Sequence, residues 1–427
     1  MNHVAVVDLG YGDAGKGTVV DWLCATRPVH TVVRFNGGAQ AAHNVVLRDG
    51  RHHTFAQFGA GTFHPGVGTH LTRHVVVDPL ALAAEADHLA TVGVTDALDR
   101  LTVDGRALLA TPYHRAANRA REIGRGADRH GSCGLGVGEA VAYGLAHPAD
   151  APRVADCHDR AALRRRLTNL RDRLTAELGP LDAPPVEDCL PAFTGFAERV
   201  EIVDGGWLAG ALRAGTCVFE GAQGVLLDEW HGFHPYTTWS TTTFANVDAL
   251  LAEAGLPGEV TRIGVLRVIT TRHGPGPLVT EDPALPFLDR HNPTNQWQGA
   301  FRFGHFDAVA HRYALDVAGG VDGLALTHLD LAGPDLRICR HYDSTDRLVP
   351  GPPGDLDRQA ALTARLLRSR PVYDDPPADW VTTVGVELGT PVVLTSHGPT
   401  ADDKRPYGPL LTSPALASHR GGVSTSA

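Results

Sequence analysis

A short apolar run, His3–Leu9, leads straight into Gly10-Tyr11-Gly12-Asp13-Ala14-Gly15-Lys16-Gly17-Thr18, and the residues Lys16–Ala25 carry a helical pattern. A strand that turns through glycines into a helix starts an α/β unit. It also builds an anion cradle. The glycines let the backbone approach phosphates, the amides of the helix N-terminus point at the charge, and Lys16 adds a cation. Gly10 to Gly15-Lys16 meets the pattern G-x-x-x-x-G-K-[ST], except that Gly17 stands where Ser or Thr should hold Mg²⁺ and Thr18 comes one residue late. Asp13 is unexpected there, because a carboxylate repels phosphate unless it has a task. Two tasks fit: binding Mg²⁺ in place of the missing hydroxyl, or acting as a base on an acceptor beside the γ-phosphate. The plain alternative is a strand–helix turn without a ligand, with Asp13 as a helix N-cap.

Further apolar runs at Thr31–Phe35, Cys217–Phe219, Arg262–Ile269, Gly323–Leu329 and Pro391–Thr395 read as buried strands. Helical patterns at Pro79–Leu89, Ala308–Val317 and Asp357–Leu367 alternate with them. Continuous apolar strands alternating with helices indicate an α/β fold: a mainly parallel central sheet with helices on both faces, P-loop NTPase-like, with helical and loop insertions. The reading is one large domain over 1–427, a mostly helical insertion over 85–200 and a flexible tail over 420–427. The Arg-rich stretch Asp159–Leu178 carries Leu163, Leu167, Leu170, Leu174 and Leu178 at helical spacing, so it reads as an amphipathic helix rather than a nucleic-acid patch. The chain of 427 residues has 38 Lys+Arg against 48 Asp+Glu, a charge of −10, which gives no footprint for nucleic acid or an anionic membrane. No apolar run reaches spanning length, and the N-terminus shows no basic signal region. The six cysteines form no C-x-x-C pair, and a reducing cytoplasm is the expected setting. Only two of the basic residues are lysines, Lys16 and Lys404, so each stands at a position where Arg was not substituted.

The loop with Asp13 resembles the G-D-E-G-K-G loop of adenylosuccinate synthetases, and the likeness continues in order along almost the whole chain. Arg34–His43 resembles R-[YF]-x-G-G-x-N-A-G-H, and Tyr113-His114 with Asn118–Glu122 resembles a helix of that family. Gly131–Gly138 resembles G-T-T-G-R-G-I-G, and Glu220–Asp228 is nearly identical to E-G-A-Q-G-x-L-L-D. Pro235–Thr238, Gly274–Pro277 with Thr280-Glu281, Thr327–Asp330 (T-K-L-D) and Ser396–Pro399 (S-x-G-P) follow. The resemblance implies a GTP- and Mg²⁺-dependent ligase, a homodimer, that phosphorylates the 6-oxo group of IMP and lets the amine of aspartate displace phosphate. Asp13 would take the N1 proton, and His43 would stabilise charge on the leaving GDP. Asp13 and the Ala42 carbonyl would hold Mg²⁺. Gly12, Gly15, Lys16, Gly17 and Thr18 would hold phosphates, and Asp330, His328, Ser396 and Gly398 would hold guanine. Gln40, Cys133, Gln223 and Thr238 would bind the monophosphate substrate.

Departures gather on the substrate side. Where the family's aspartate loop reads T-T-G-R-R-R-R-T-G-W-L-D, this chain has Gln296–Asp307, with Arg302 as its one arginine and the one expected to bind substrate there. Each lost charge-assisted contact costs ~1.5–3 kcal/mol. Ala39–Ala42 replaces H-N-A-G, Leu135 replaces an arginine, and the arginine that crosses the family's dimer has no clear match near Glu139–Leu145. Three readings stay open: a divergent adenylosuccinate synthetase, a paralogue with another acceptor or amine, and a GTP-binding homologue without ligase chemistry.

Overall fold

The computed structural model describes residues 3–287, 292 and 297–411. Gln296 and the expected tail over 420–427 lie outside the described residues. Ten strands form the central sheet: β1 (His3–Asp8), β2 (Val29–Arg34), β3 (Gly68–Leu71), β4 (Leu101–Asp104), β5 (Glu201–Val203), β6 (Thr216–Glu220), β7 (Val260–Arg267), β8 (Gly323–Thr327), β9 (Val392–Ser396) and β10 (Lys404–Pro406). Their order is β10-β9-β8-β7-β1-β6-β2-β3-β4-β5. All neighbours are parallel except the edge pair β9–β10.

Every residue of β1 is buried. Its side chains divide by the two-residue strand period: Val4 and Val6 enter one apolar core, Ala5 and Val7 the other. That explains why the strand reads as an unbroken apolar run, since a sheet covered on both faces has no solvated side. The first core is roofed by Pro79–Thr91, Arg160–Leu178 and Val186–Arg199, and the second by Ala245–Glu253, Ala308–Ala318 and Trp380–Leu388. In the Arg-rich helix Arg160–Leu178, Leu163, Leu167, Leu170 and Leu174 are buried, and the Asp159 carboxylate accepts the amides of Ala161 and Ala162 as N-cap.

Three strands end earlier than their apolar runs. β1 stops at Asp8, β7 at Arg267 and β8 at Thr327, rather than at Leu9, Ile269 and Leu329. Beyond those points the chain leaves the ladder and turns over the sheet's C-terminal edge, although its residues stay apolar. His328 turns with φ 59°. In this fold type the C-terminal strand edge is where ligands sit.

Candidate active site

A cavity of about 470 Å³ runs along that edge. Strand order sets its layout. The glycine loop follows the central β1. His328 and Asp330 follow β8, and Ser396 closes β9, on one side; Gln40 follows β2 and Gln223 follows β6, on the other.

The loop is built around a residue that the sequence reading gave no role. Asp8 accepts the amides of Gly10 (2.8 Å) and Ala14 (2.8 Å) and, more loosely, of Gly12 (3.4 Å). It also pairs with Lys16 Nζ at 3.1 Å, both side chains being buried. One carboxylate thus holds both the curve of the loop and the lysine. The helix Lys16–Thr26 starts at Gly15 (φ 95°) with no side-chain cap and no acidic residue in its first turn. Its leading amides and positive dipole end are therefore left for an anionic ligand. Gly17 stands in the hydroxyl position for a steric reason: a Cβ there would lie 2.7 Å from His43 Cβ.

Three non-glycine residues among those described have positive φ: Asp13 (60°), Gln223 (58°) and His328 (59°). All three line the cavity. Backbone held in this region by non-glycine residues is strained and clusters at functional sites. Gly224 lets the Gln223 turn lie on the loop, since a Cβ there would be 2.2 Å from Gly10 O.

His43 faces the cavity from the strand His43–Val46, and its Nδ1 lies 2.5 Å from Glu220 Oε1. Burial pushes His43 below its ordinary value, against the pull of Glu220. Burial also opposes the Glu220 charge, but His43, Arg34 and the Ala60 amide outweigh it and keep that carboxyl low. Glu220 thus engages Nδ1 of the ring, which leaves Nε2 as the nitrogen for a ligand. Asp13 has a neighbour in His273, whose Nε2 is 3.5 Å from Asp13 Oδ2 and 3.0 Å from Asn292 Oδ1. Both side-chain polar atoms of Gln223, and Oε1 of Gln40, are buried without a hydrogen-bond partner among the described residues. Unpaired buried amides on a cavity wall are positions where a polar ligand completes the bonding.

The structure brings Gly12, Asp13, Gly15, Lys16, Gly17 and Thr18 together on one wall with Ala42 and His43. Gln40, Gln223, His328, Asp330, Ser396 and Gly398 share the same cavity. Cys133, Thr238 and Arg302 are not on its lining. Burial raises the Cys133 thiol, as for a packed residue. The Thr238 amide bonds Leu227 O at 2.8 Å. The Arg302 fork is taken by the carbonyls of Gly274 (3.0 Å) and Gly276 (2.8 Å) and by Glu281 (2.7 Å). Sequence reasoning missed Asp8, Glu220, His273 and Arg267, the last two of which line the cavity. Of these only Glu220 carried a signal, as the first residue of the E-G-A-Q-G stretch.

A Mg²⁺ ion fits this donor set. Among the described residues no three His, Cys, Asp or Glu side chains converge on a metal position. Mg²⁺ typically keeps waters and substrate phosphates as ligands and needs only one or two protein oxygens.

Fold and cavity together define a phosphate-loop α/β enzyme of nucleotide chemistry. The adenylosuccinate synthetase family profile matches residues 5–403. Adenylosuccinate synthetase of Ralstonia nicotianae is 31% identical, over 95% of this chain and 97% of its own. That of Myxococcus xanthus is 34% identical, over 88% of this chain and 87% of its own. The fully ligated adenylosuccinate synthetase of Plasmodium falciparum superposes with a TM-score of 0.80 at 20% identity, over 96% of this chain and all (100%) of that one. Succinoaminodeoxyadenylate synthetase of cyanophage S-2L, bound to dGMP and to dATP as energy donor, gives 0.61 at 18% identity, over 95% of each chain. The chain belongs to the adenylosuccinate synthetase family, GTP- and Mg²⁺-dependent ligases that form carbon–nitrogen bonds. No helix among the described residues is long and apolar enough to cross a membrane.

Proposed function

We propose that the cavity binds GTP on the β8–β9 side and an oxo-purine nucleotide of the IMP type on the β2–β6 side, and that Asp13 works between them. The observation that carries this reading is the position of Asp13. A loop that only binds phosphate gains nothing from a carboxylate, yet this one is held in strained backbone at the junction of the two halves.

Asp13 takes the proton from N1 of the acceptor ring, and the electron pair moves to the 6-oxygen. That oxygen attacks the γ-phosphorus, and the bond to the bridging oxygen breaks with GDP as leaving group. Lys16 and the free amides at the start of its helix hold the phosphates, and His43, its Nδ1–H held by Glu220, takes up a proton at Nε2 as phosphate charge arrives and donates it to the charge that develops. An amine then adds to C6 and expels phosphate. Gln40 and Gln223 orient the acceptor through their unpaired amide groups. Asp13 and the Ala42 carbonyl would hold Mg²⁺, which neutralises phosphate charge when bound. Asp330 favours guanine because it accepts from N1–H and the 2-amino group, a donor pair that adenine lacks.

Aspartate is the amine that family membership favours, and the family's dimer is the assembly we propose. A different amine is a second reading, supported by one observation. In the described stretch 297–304 the sole arginine, Arg302, is consumed by Gly274, Gly276 and Glu281.

The test is phosphate release from Mg–GTP with IMP, with and without aspartate, alongside detection of a succinylated nucleotide. Aspartate-dependent release with that product is expected. Release with IMP and another amine, but not with aspartate, would establish the second reading. No release with any oxo-purine, despite GTP binding, would refute the ligase assignment of this site.

A further inference from the structure

Lys404 is one of two lysines in the chain and has no part in the mechanism above. It sits in β10, paired with Ser396 of β9, and is 5% exposed. Among the described residues it forms no ion pair. Its Nζ instead donates to the Gly398 carbonyl at 2.9 Å, which also accepts from Ser396 Oγ at 3.1 Å. Asp403 ties the same turn from behind, bonding the amide and hydroxyl of Thr400 at 2.8 and 2.7 Å. Gly398 has no room for a side chain, since a Cβ would meet Asp403 Oδ2 at 2.7 Å. Ser396, Gly398 and Pro399 line the cavity, as does Asp330. A buried ammonium without a paired anion costs folding free energy. Burial lowers Lys404 to about 8, with Asp403, Asp21 and Asp330 pulling the other way. The ammonium is thus charged at neutral pH and lies within the field of Asp330.

We propose that Lys404 is a positioning residue for base selection: it locks the 396–399 turn through the Gly398 carbonyl on the wall that also carries Asp330, so that this wall accepts a purine with N–H donors and disfavours adenine. The inference rests on the reading of this half of the cavity as the GTP site. It also accounts for a lysine in an arginine-rich chain. One compact point donor fits a buried carbonyl, whereas a planar guanidinium fork needs a wider socket.

The experiment is calorimetric titration of the full chain with Mg–GTP, Mg–ITP and Mg–ATP, for wild type, Lys404→Met and Lys404→Gln, with a thermal melt of each. For Lys404→Met the GTP affinity should fall about tenfold, ATP should change less than twofold, and the GTP-over-ATP preference should shrink accordingly. ITP, without the 2-amino group, should fall between them. Lys404→Gln, which keeps a donor but not the charge, should lose less and also serves if the Met variant does not fold. Equal weakening of all three nucleotides, or no change in the preference, would overturn the role of Lys404. A wild type without preference for GTP over ATP would instead overturn the GTP reading beneath it.

Discussion

Replacing Gly17 by Ser restores the hydroxyl of the usual phosphate-loop pattern, and the structure predicts harm. The new Cβ would lie 2.7 Å from His43 Cβ, and 3.3 Å from His43 Cα and C. Ordinary contact begins near 3.4 Å, so the two segments must separate by ~0.7 Å. His43 cannot yield on its other side, where Glu220 holds it at 2.5 Å and the Ala60 amide holds Glu220 at 2.9 Å. Overpacking of this kind costs about 1–3 kcal/mol, which in a chain of 427 residues should lower Tm by only about 1–3 °C. The catalytic loss is the easier one to read, because displacing a reacting group by ~1 Å costs on the order of 100-fold in rate. Phosphate release at saturating Mg–GTP and acceptor, with a thermal melt, measures both. Gly17→Ala should fall as far as Gly17→Ser, since the clash needs only the Cβ. If Gly17→Ser keeps full turnover, or clearly exceeds Gly17→Ala, close packing is not what excludes the hydroxyl, and the steric argument is wrong.

Asp13→Asn should reduce turnover by ~10²–10⁴-fold and leave Mg–GTP affinity within a few-fold, as single-turnover and titration experiments would read. Glu220→Gln replaces a charge-assisted bond to His43, worth about 1.5–3 kcal/mol, by a neutral one, so kcat should drop by ~10–100-fold with KM for GTP little changed. Burial raises Asp307 to about 6, although it caps the helix Ala308–Ala318 and takes the Tyr342 hydroxyl. A folded value above the unfolded one gives stability that is full below pH ~4 and lost as pH rises through about 6, amounting to ~3 kcal/mol; Tm against pH should fall over that window, and Asp307→Asn should flatten it.

Much of the fold could be read from the chain. The sheet strands that carry the loops announce themselves as continuous apolar runs because both faces are covered, and Lys16–Thr26, Pro79–Thr91 and Ala308–Ala318 fall within two residues of their patterns. The strand ends were less legible. Leu9, Ile269 and Leu329 are apolar, and periodicity cannot tell a residue inside the ladder from one packed just past it. In the site, the glycine loop stood out by residue type and spacing, and His43 and Gln223 through the resemblance of their motifs to the family's. Asp8 did not, because an acid at the end of an apolar strand looks like a turn residue until its three amide partners are known. His273 was invisible for another reason: it reaches Asp13 only because the ribbon Thr270–His273 with Phe301–Gly304 folds back over the loop, a contact across 260 positions that no local pattern encodes. Arg302 was read as a substrate ligand from its place in the loop, and the carbonyls that occupy its fork come from a distant glycine turn.

The left-handed conformations of Asp13, Gln223 and His328 set this enzyme's stability against its activity. Each holds a non-glycine residue where glycine would sit at no steric cost, at a penalty of roughly 1 kcal/mol apiece. A screen that rewards heat resistance alone should therefore enrich glycine or asparagine at these three positions and deliver sturdier proteins with an idle cavity. The same three substitutions mark where a designer seeking a robust, inert scaffold could begin.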